Sequence, residues 1–303
     1  MPIPKPLDAM QTIEQFINYL LAERGYSNAT AISYRASLTD LWKFCRRVDE
    51  QIGWGNLDKD VIRRWMMSEM ERGVTARTLN RKMSAVRSFY RYLLRMERVK
   101  VDPTATLKNP KAEQRLPTFL GEQEMDRLFD EITFGEGYEA GRDRLILLTF
   151  YSTGIRISEL LHLKTSDVDL SARELKVLGK RNKQRIVPFG QELAEAFRAF
   201  FKLRSQEVHP DTEDVFLRPN GKQMSDLEVR NVVKKYLSCV TTQQKRSPHV
   251  LRHTYATVML NNGADLQAVK ELLGHESVST TEVYTHTTFA ELKKAYEKAH
   301  PRA

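Results

Sequence analysis

The chain has 303 residues, 41% of them apolar and 29% charged, a composition that fills one large domain or two ordinary ones and excludes an intrinsically disordered or collagen-like protein. Its formal charge of +9 is unevenly spread: residues 1–110 carry 19 Lys or Arg against 12 Asp or Glu, whereas the remainder carries 29 against 27. A basic front half of this kind suits a polyanionic partner, while two distant cysteines, Cys45 and Cys239, give neither a disulfide framework nor a cysteine-based zinc site.

The opening "MPIPKPLDAMQTIEQF" has no apolar targeting core, and no run approaches the roughly 18 apolar residues of a membrane span. A cytoplasmic protein without membrane attachment is expected. In chain order, Ile13, Phe16, Ile17, Leu20 and Leu21 recur at helical spacing, and "RGYSNAT" interrupts before a second helix running to about Cys45. Asp58 is placed to cap a third helix carrying Val61, Ile62, Trp65 and Met66. Thr75 or Thr78 begins a fourth that ends near Met96. Four helices on short turns predict a small helical domain.

The fourth helix lies in "TARTLNRKMSAVRSFYRYLLRMERVK", which has eight basic residues and one acid beside an apolar stripe of Leu79, Met83, Val86 and Tyr90. Its basic residues, among them Arg77, Arg81, Lys82, Arg87 and Arg91, are expected to face outward, either as a phosphate-contacting surface or as a plain solvated face. The three prolines of "VDPTATLKNPKAEQRLPTFL" then mark a linker, assigned to residues 106–117, between a domain over 1–105 and a second over 118–303.

Beyond it, "GEQEMDRLFDEI" and "RDRLILLTFYSTG" read as helices, and Ile157 to Leu163 as a short one. "ELKVLGKRNKQRIVPF" changes to the two-residue period of a hairpin, with Gly, Lys, Arg and Asn at its bend. Helices follow at Leu193 to Leu203, at Asp226 to Leu237 with Ser225 and Glu228 in capping-box register, at about His249 to Leu260, on Leu266 to Leu273, and at Phe289 to Ala299. The fold class expected is mainly α with a small β-sheet. No internal repeat, phosphate-loop or dinucleotide glycine motif occurs.

In "SPHVLRHTYATVML", His249, Arg252 and His253 share an arc of about 100° on one helix face. A buried arginine needs an anion or an acid, so the group points to chemistry rather than to a satisfied core histidine. Tyr255 lies away from His249 and His253 and reads as a packing or hydrogen-bonding residue. A zinc site using His249 and His253 at i,i+4, with His275 or His286 downstream, is the competing reading. It lacks the glutamate of a zinc hydrolase and would place Arg252 beside the metal, so no metal is assigned. Positive groups converging with histidines suit phosphoryl transfer, in which charge on nonbridging oxygens is stabilised and a leaving oxygen protonated.

Five segments in order, "STGIRISELLHL", "LGKRNKQR", "HVLRH", "LLGHESVSTTEVYTH" and the terminal "HPRA", resemble the tyrosine recombinase (phage integrase) family and its Xer site-specific recombinase branch, XerC-like or XerD-like. "RGYSNATAISYRASLTDLWKF" and "LNRKMSAVRSFYRYL" resemble that family's DNA-clamping domain, so the likeness spans nearly the whole chain. The resemblance implies a four-helix DNA-binding domain plus an α+β catalytic domain. Arg156 and Arg252 would grip the scissile phosphate, Lys180 would protonate the 5′ leaving oxygen, His249 would act as base or hydrogen-bonding group, His275 would be the second histidine, and Tyr284 the nucleophile of a 3′-phosphotyrosyl bond. Glu159 and His253 would support these groups, and Arg181 and Lys183 would contact DNA. Arg181 stands where the family usually has a glycine, which puts the geometry of the hairpin bend in doubt.

The implied partners are double-stranded DNA carrying a specific recombination site, a homo- or hetero-tetramer on two sites, a second recombinase and a DNA translocase, with no cofactor. The expected function is recombination through a Holliday junction, resolving chromosome or plasmid multimers. Three rivals stay open: an integrase or invertase of a mobile element or invertible segment, a catalytically dead architectural protein, and a topoisomerase. The final helix, with Phe289, Leu292 and Tyr296 on one stripe, would dock on a neighbouring protomer or fold back on its own domain.

Overall fold

The computed structural model describes residues 9–112, 118–179, 184–274 and 289–303. It divides into two compact units, Met1–Arg115 and Leu116–Ala303. The first is built from α1 (Ala9–Ala22), α2 (Asn28–Val48), α3 (Lys59–Glu71) and α4 (Ala76–Arg95). Ser27 and Thr75 cap α2 and α4, each accepting from the backbone N–H three residues on, and so satisfy donors that a helix start leaves orphaned. Asp58 occupies the cap position of α3 without a side-chain bond.

The apolar stripes of the four helices meet around Phe16, Trp54, Trp65 and Phe89. Phe16 meets Phe89 edge-on at 5.3 Å, and Trp54 meets Phe89 at 4.9 Å. Two polar ends in this aromatic core are satisfied, since Trp54 Nε1 donates to the Ala9 carbonyl and Tyr90 Oη to the Trp54 carbonyl. The start of the expected linker is tied to α4: Arg87 donates to the Leu107 carbonyl and Asn109 Oδ1, and Asn80 to the Pro110 carbonyl.

The second unit surrounds α6 (Gly137–Thr153), whose residues from Leu145 to Thr153 are all buried. A helix apolar on every side needs neighbours on every side, and α8 (Gln191–Glu207), α9 (Asp226–Val240) and α10 (Pro248–Asn261) supply them. Before it, α5 (Glu122–Asp126) continues into a π-helical turn at Arg127–Glu131. After it come the short α7 (Ile157–Leu161) and an antiparallel sheet of β1 (Val168–Asp169), β2 (Glu174–Leu178) and β3 (Gln184–Pro188), in that order.

In the β2–β3 pair Leu175 faces Val187, so buried Leu175, Val177 and Val187 fall on one side. The strand β1, two residues long, was not anticipated. The capping box of Ser225 and Glu228 on α9 forms as expected, with Glu228 Oε2 held by the Ser225 N–H and hydroxyl.

The chain ends on α11 (Leu266–Leu273) and α12 (Phe289–Ala299). Tyr296 and Ala299 of α12 join Tyr255, Met259, Val269, Leu272 and Leu273 in a small separate core. In this structure the last helix therefore folds onto its own unit. The tail follows it: Arg302 lies over Phe129 and pairs with Glu192 and Asp130, while His300 is buried against Tyr151. No described helix is long and apolar enough to cross a membrane.

Candidate active site

Arg156 caps α7 and is placed by the left-handed turn that ends α6 at Gly154, with φ of 60°. Only glycine fits there. A Cβ would stand 2.6 Å from Tyr255 Cδ1 and 2.7 Å from Leu273 Cδ2. Tyr255 is thus the floor beneath the turn that presents Arg156. It is completely buried, and burial holds its pKa well above the ordinary tyrosine value, so it stays a neutral packing residue.

Three guanidinium groups converge on one helix end. Arg156 Nη2 donates to the Gly274 carbonyl at 2.8 Å, Arg252 Nη2 to the Leu273 carbonyl at 2.6 Å, and Arg185 Nε to the Leu272 carbonyl at 2.9 Å. Those carbonyls close α11, where a helix leaves acceptors unpaired and its dipole favours positive charge. Arg252 also donates from Nη1 to the Gly154 carbonyl at 2.5 Å, which links the end of α6 to the end of α11.

Glu159, with only 3% of its surface exposed, lies among them. It accepts from the Arg156 N–H and Nη1 at 2.8 Å each, and from Arg185 Nη1 and Nη2 at 2.7 and 3.0 Å. Burial acts to raise its pKa, but the hydrogen bonds and charges of Arg185 and Arg156 prevail and hold it below the usual carboxylate range. Arg252 is desolvated and repelled by Arg156, which lowers its pKa to about 10; it remains a cation at neutral pH.

His249 lies one turn before Arg252 and is open to solvent. Partial desolvation, then the charges of Arg230 and Arg252, lower its pKa below the ordinary imidazole value, which keeps the ring neutral and able to accept a proton. His253 is half-buried and meets the ring of Phe119 edge-on at 6.2 Å, whereas the ring beside Tyr255 is that of His300, at 5.6 Å.

Of the residues singled out in the sequence, Arg156, Glu159 and Arg252 are brought together directly, with His249 on the same helix as Arg252. Lys180, Arg181, Lys183, His275 and Tyr284 lie outside the described residues. Arg185 was missed. A basic residue on a half-exposed strand has no distinctive sequence signal, and only its approach to Glu159 and Leu272 singles it out.

On α4, Arg77, Arg81 and Arg91 are exposed and fall within an arc of about 80°. Lys82 lies well off that arc and corrects the expected outward set: its ammonium is paired with Asp40 and with the buried Glu69. Arg87 is likewise engaged, by the Leu107 and Asn109 bonds described above.

Known proteins resemble this chain over both units. The model of the phage integrase family matches residues 118–291, and that of the phage integrase N-terminal SAM-like domain matches residues 13–97. The chain belongs to the tyrosine recombinase (phage integrase) family and is an enzyme of DNA strand breakage and rejoining.

Within that family it falls in the Xer-type, XerC-like branch. It is 38% identical over 315 residues to the tyrosine recombinase XerC of Chlorobaculum tepidum, covering 95% of this chain and 94% of the relative. It is also 38% identical over 301 residues to the XerC of Pelotomaculum thermopropionicum, covering 96% and 98%. Among solved structures, XerH in a pre-cleavage complex with its difH substrate superposes with a TM-score of 0.72 at 19% identity, covering 97% of this chain and 98% of that one. The Tn1549 transposon integrase with transposon right end DNA gives 0.73 at 18% identity, covering 94% and 98%. These two likenesses establish the fold.

Proposed function

We propose that this recombinase resolves multimers of circular chromosomes or plasmids by exchanging strands between two copies of a specific DNA site. The observation that carries the reading is the convergence of Arg156 and Arg252 on consecutive carbonyls of the α11 terminus, the point from which the chain continues to His275 and Tyr284. A phosphate seated there receives paired donors from fixed guanidinium forks.

In the proposed reaction the Tyr284 oxygen attacks the scissile phosphorus, with its proton passing to His249. The bond to the 5′ oxygen breaks, and Lys180 protonates that leaving group. Arg156, Arg252 and His275 stabilise the nonbridging oxygens. The phosphotyrosyl bond retains the energy of the phosphodiester, so the 5′-hydroxyl of a second strand reverses the step on a new partner without ATP or metal. Arg77, Arg81 and Arg91 of α4, with Arg181 and Lys183, hold the DNA backbone; His253 supports the site from the same helix as His249. Four protomers, alone or with a second recombinase, act on two sites through a Holliday junction in the cytoplasm, and a DNA translocase brings the sites together. The last helix exchanges between protomers in that assembly.

The test uses supercoiled plasmids carrying one or two candidate chromosomal sites. Recombinant circles and branched intermediates from the two-site plasmid alone support the reading. Relaxation of the one-site plasmid without recombinants would make the protein a topoisomerase. Changing Lys180→Ala should suppress cleavage of ordinary DNA while a 5′-bridging phosphorothioate, whose sulfur leaves without protonation, is cleaved at near the wild-type rate. Absence of that rescue removes the leaving-group role.

A further inference from the structure

We propose that Arg185 of β3 is a positioning residue for strand cleavage, acting through Glu159 to keep the charge of Arg156 available to the scissile phosphate. The inference rests on the reading of Arg156 as a phosphate-binding group.

Arg185 has three donor atoms committed inside the unit, Nη1 and Nη2 to the two oxygens of Glu159 and Nε to the Leu272 carbonyl. Its side chain is 16% exposed, against 24% for that of Arg156. The end of the side chain also packs closely against Gly274: a Cβ there would be 3.1 Å from Nη1 and 3.2 Å from both Cδ and Cζ, at a backbone φ of 63°. A group so engaged fixes the geometry around it rather than moving to meet a ligand.

The consequence follows from the capacity of one carboxylate. Glu159 offers a planar pair of oxygens that fits one guanidinium fork edge-on. Arg185 occupies that fork, so Arg156 reaches Glu159 through a single guanidinium nitrogen, Nη1, and its backbone N–H. Its Nη2 points instead to the Gly274 carbonyl. Without Arg185, the buried carboxylate would take Arg156 as its bidentate partner, which would neutralise that guanidinium and draw it from the phosphate position. Lysine cannot substitute, because a single ammonium cannot fill the fork and also reach the Leu272 carbonyl.

The test compares Arg185→Gln and Arg185→Lys with the wild type in single-turnover cleavage at saturating enzyme. One DNA carries the normal scissile phosphate. The other carries a methylphosphonate there, which removes the charge that Arg156 serves. Both variants should lose about tenfold or more in cleavage rate on the phosphate, in keeping with the sensitivity of catalysis to small misplacements, while DNA affinity changes less than about threefold. On the methylphosphonate the loss should shrink to less than about threefold. In the double variant with Arg156→Lys the two losses on phosphate should fail to multiply.

Equal losses on both substrates, or losses that multiply with that of Arg156→Lys, would reduce Arg185 to support of the fold. A fully active Arg185→Lys would overturn the fork argument, and because it retains charge and length it guards against a folding failure of Arg185→Gln. If Arg156→Ala itself left phosphate cleavage intact, the reading of the site would fall; harmless Arg185 variants beside an inactive Arg156→Ala would remove this inference alone.

Discussion

The Tyr255 hydroxyl is buried and has no hydrogen-bond partner among the described residues. Removing an unpaired buried hydroxyl is neutral or stabilising by about 1 kcal/mol. The variant Tyr255→Phe should therefore melt at or above the wild-type temperature and still attach covalently to DNA; a loss of attachment would give Tyr255 a chemical role. Gly154→Ala should behave in the opposite way. It places a methyl within 3 Å of two buried side chains at a left-handed φ, and the strain and overpacking together should cost about 2–4 kcal/mol in a denaturant titration. At this scale the sequence was informative where a residue type is costly to bury without a reason. Arg252 stood out on those terms, Arg156 and Glu159 only through the family resemblance, and the three do converge. Arg185 did not, because its partners lie 26 and 87 positions away. Lys82 was misplaced for the same reason, since Asp40 and Glu69 belong to other helices.

Elements were read well where a local cause sets them. The caps at Ser225 and Thr75 and the turn at Gly274 place helix ends to within a residue or two. The strand β1 escaped because two residues carry no period, and its pairing to β2 depends on the three-dimensional course of the chain. The docking of α12 was equally invisible as an outcome, since an apolar stripe states that something covers it but not what. His300, next after that helix, gives a measurable consequence. It is 4% exposed, donates from Nε2 to the Tyr151 carbonyl at 3.1 Å, and burial lowers its pKa to about 4 from the ordinary imidazole value near 6.5. The folded state therefore binds fewer protons than the unfolded chain between those values. Its stabilising effect is complete above about pH 6.5 and is lost as pH falls toward 4, a difference on the order of 3 kcal/mol. Urea midpoints measured from pH 7 to pH 4.5 should fall, and should fall less in His300→Phe; an equal decline in both proteins would place the acid sensitivity elsewhere.

For the molecule as a whole, the proposed division of work has the basic first unit hold the polyanion while Arg156 and Arg252 of the second, which meet at the end of α11, act on one of its phosphates. That division was legible from the charge asymmetry and from motifs spread over the chain. Each phosphate contact contributes about 0.9 to the slope of log affinity against log salt. Replacing Arg77, Arg81 and Arg91 together with Gln should flatten the slope by roughly 2–3. Lys82→Gln should leave it unchanged, because that ammonium is already paired within the unit. A similar flattening from Lys82→Gln would mean that the pairing opens when DNA binds.

The central claim is that the arginine cluster serves a nucleophile arriving from beyond α11 rather than the tyrosine within α10. The direct measurement is to trap the protein on a suicide duplex that loses a short strand after cleavage, digest the covalent complex, and identify the DNA-bearing tyrosine by mass. The account predicts a 3′-phosphoryl link to Tyr284 and no adduct in Tyr284→Phe. Attachment at Tyr255, or an undiminished adduct in Tyr284→Phe, would contradict it.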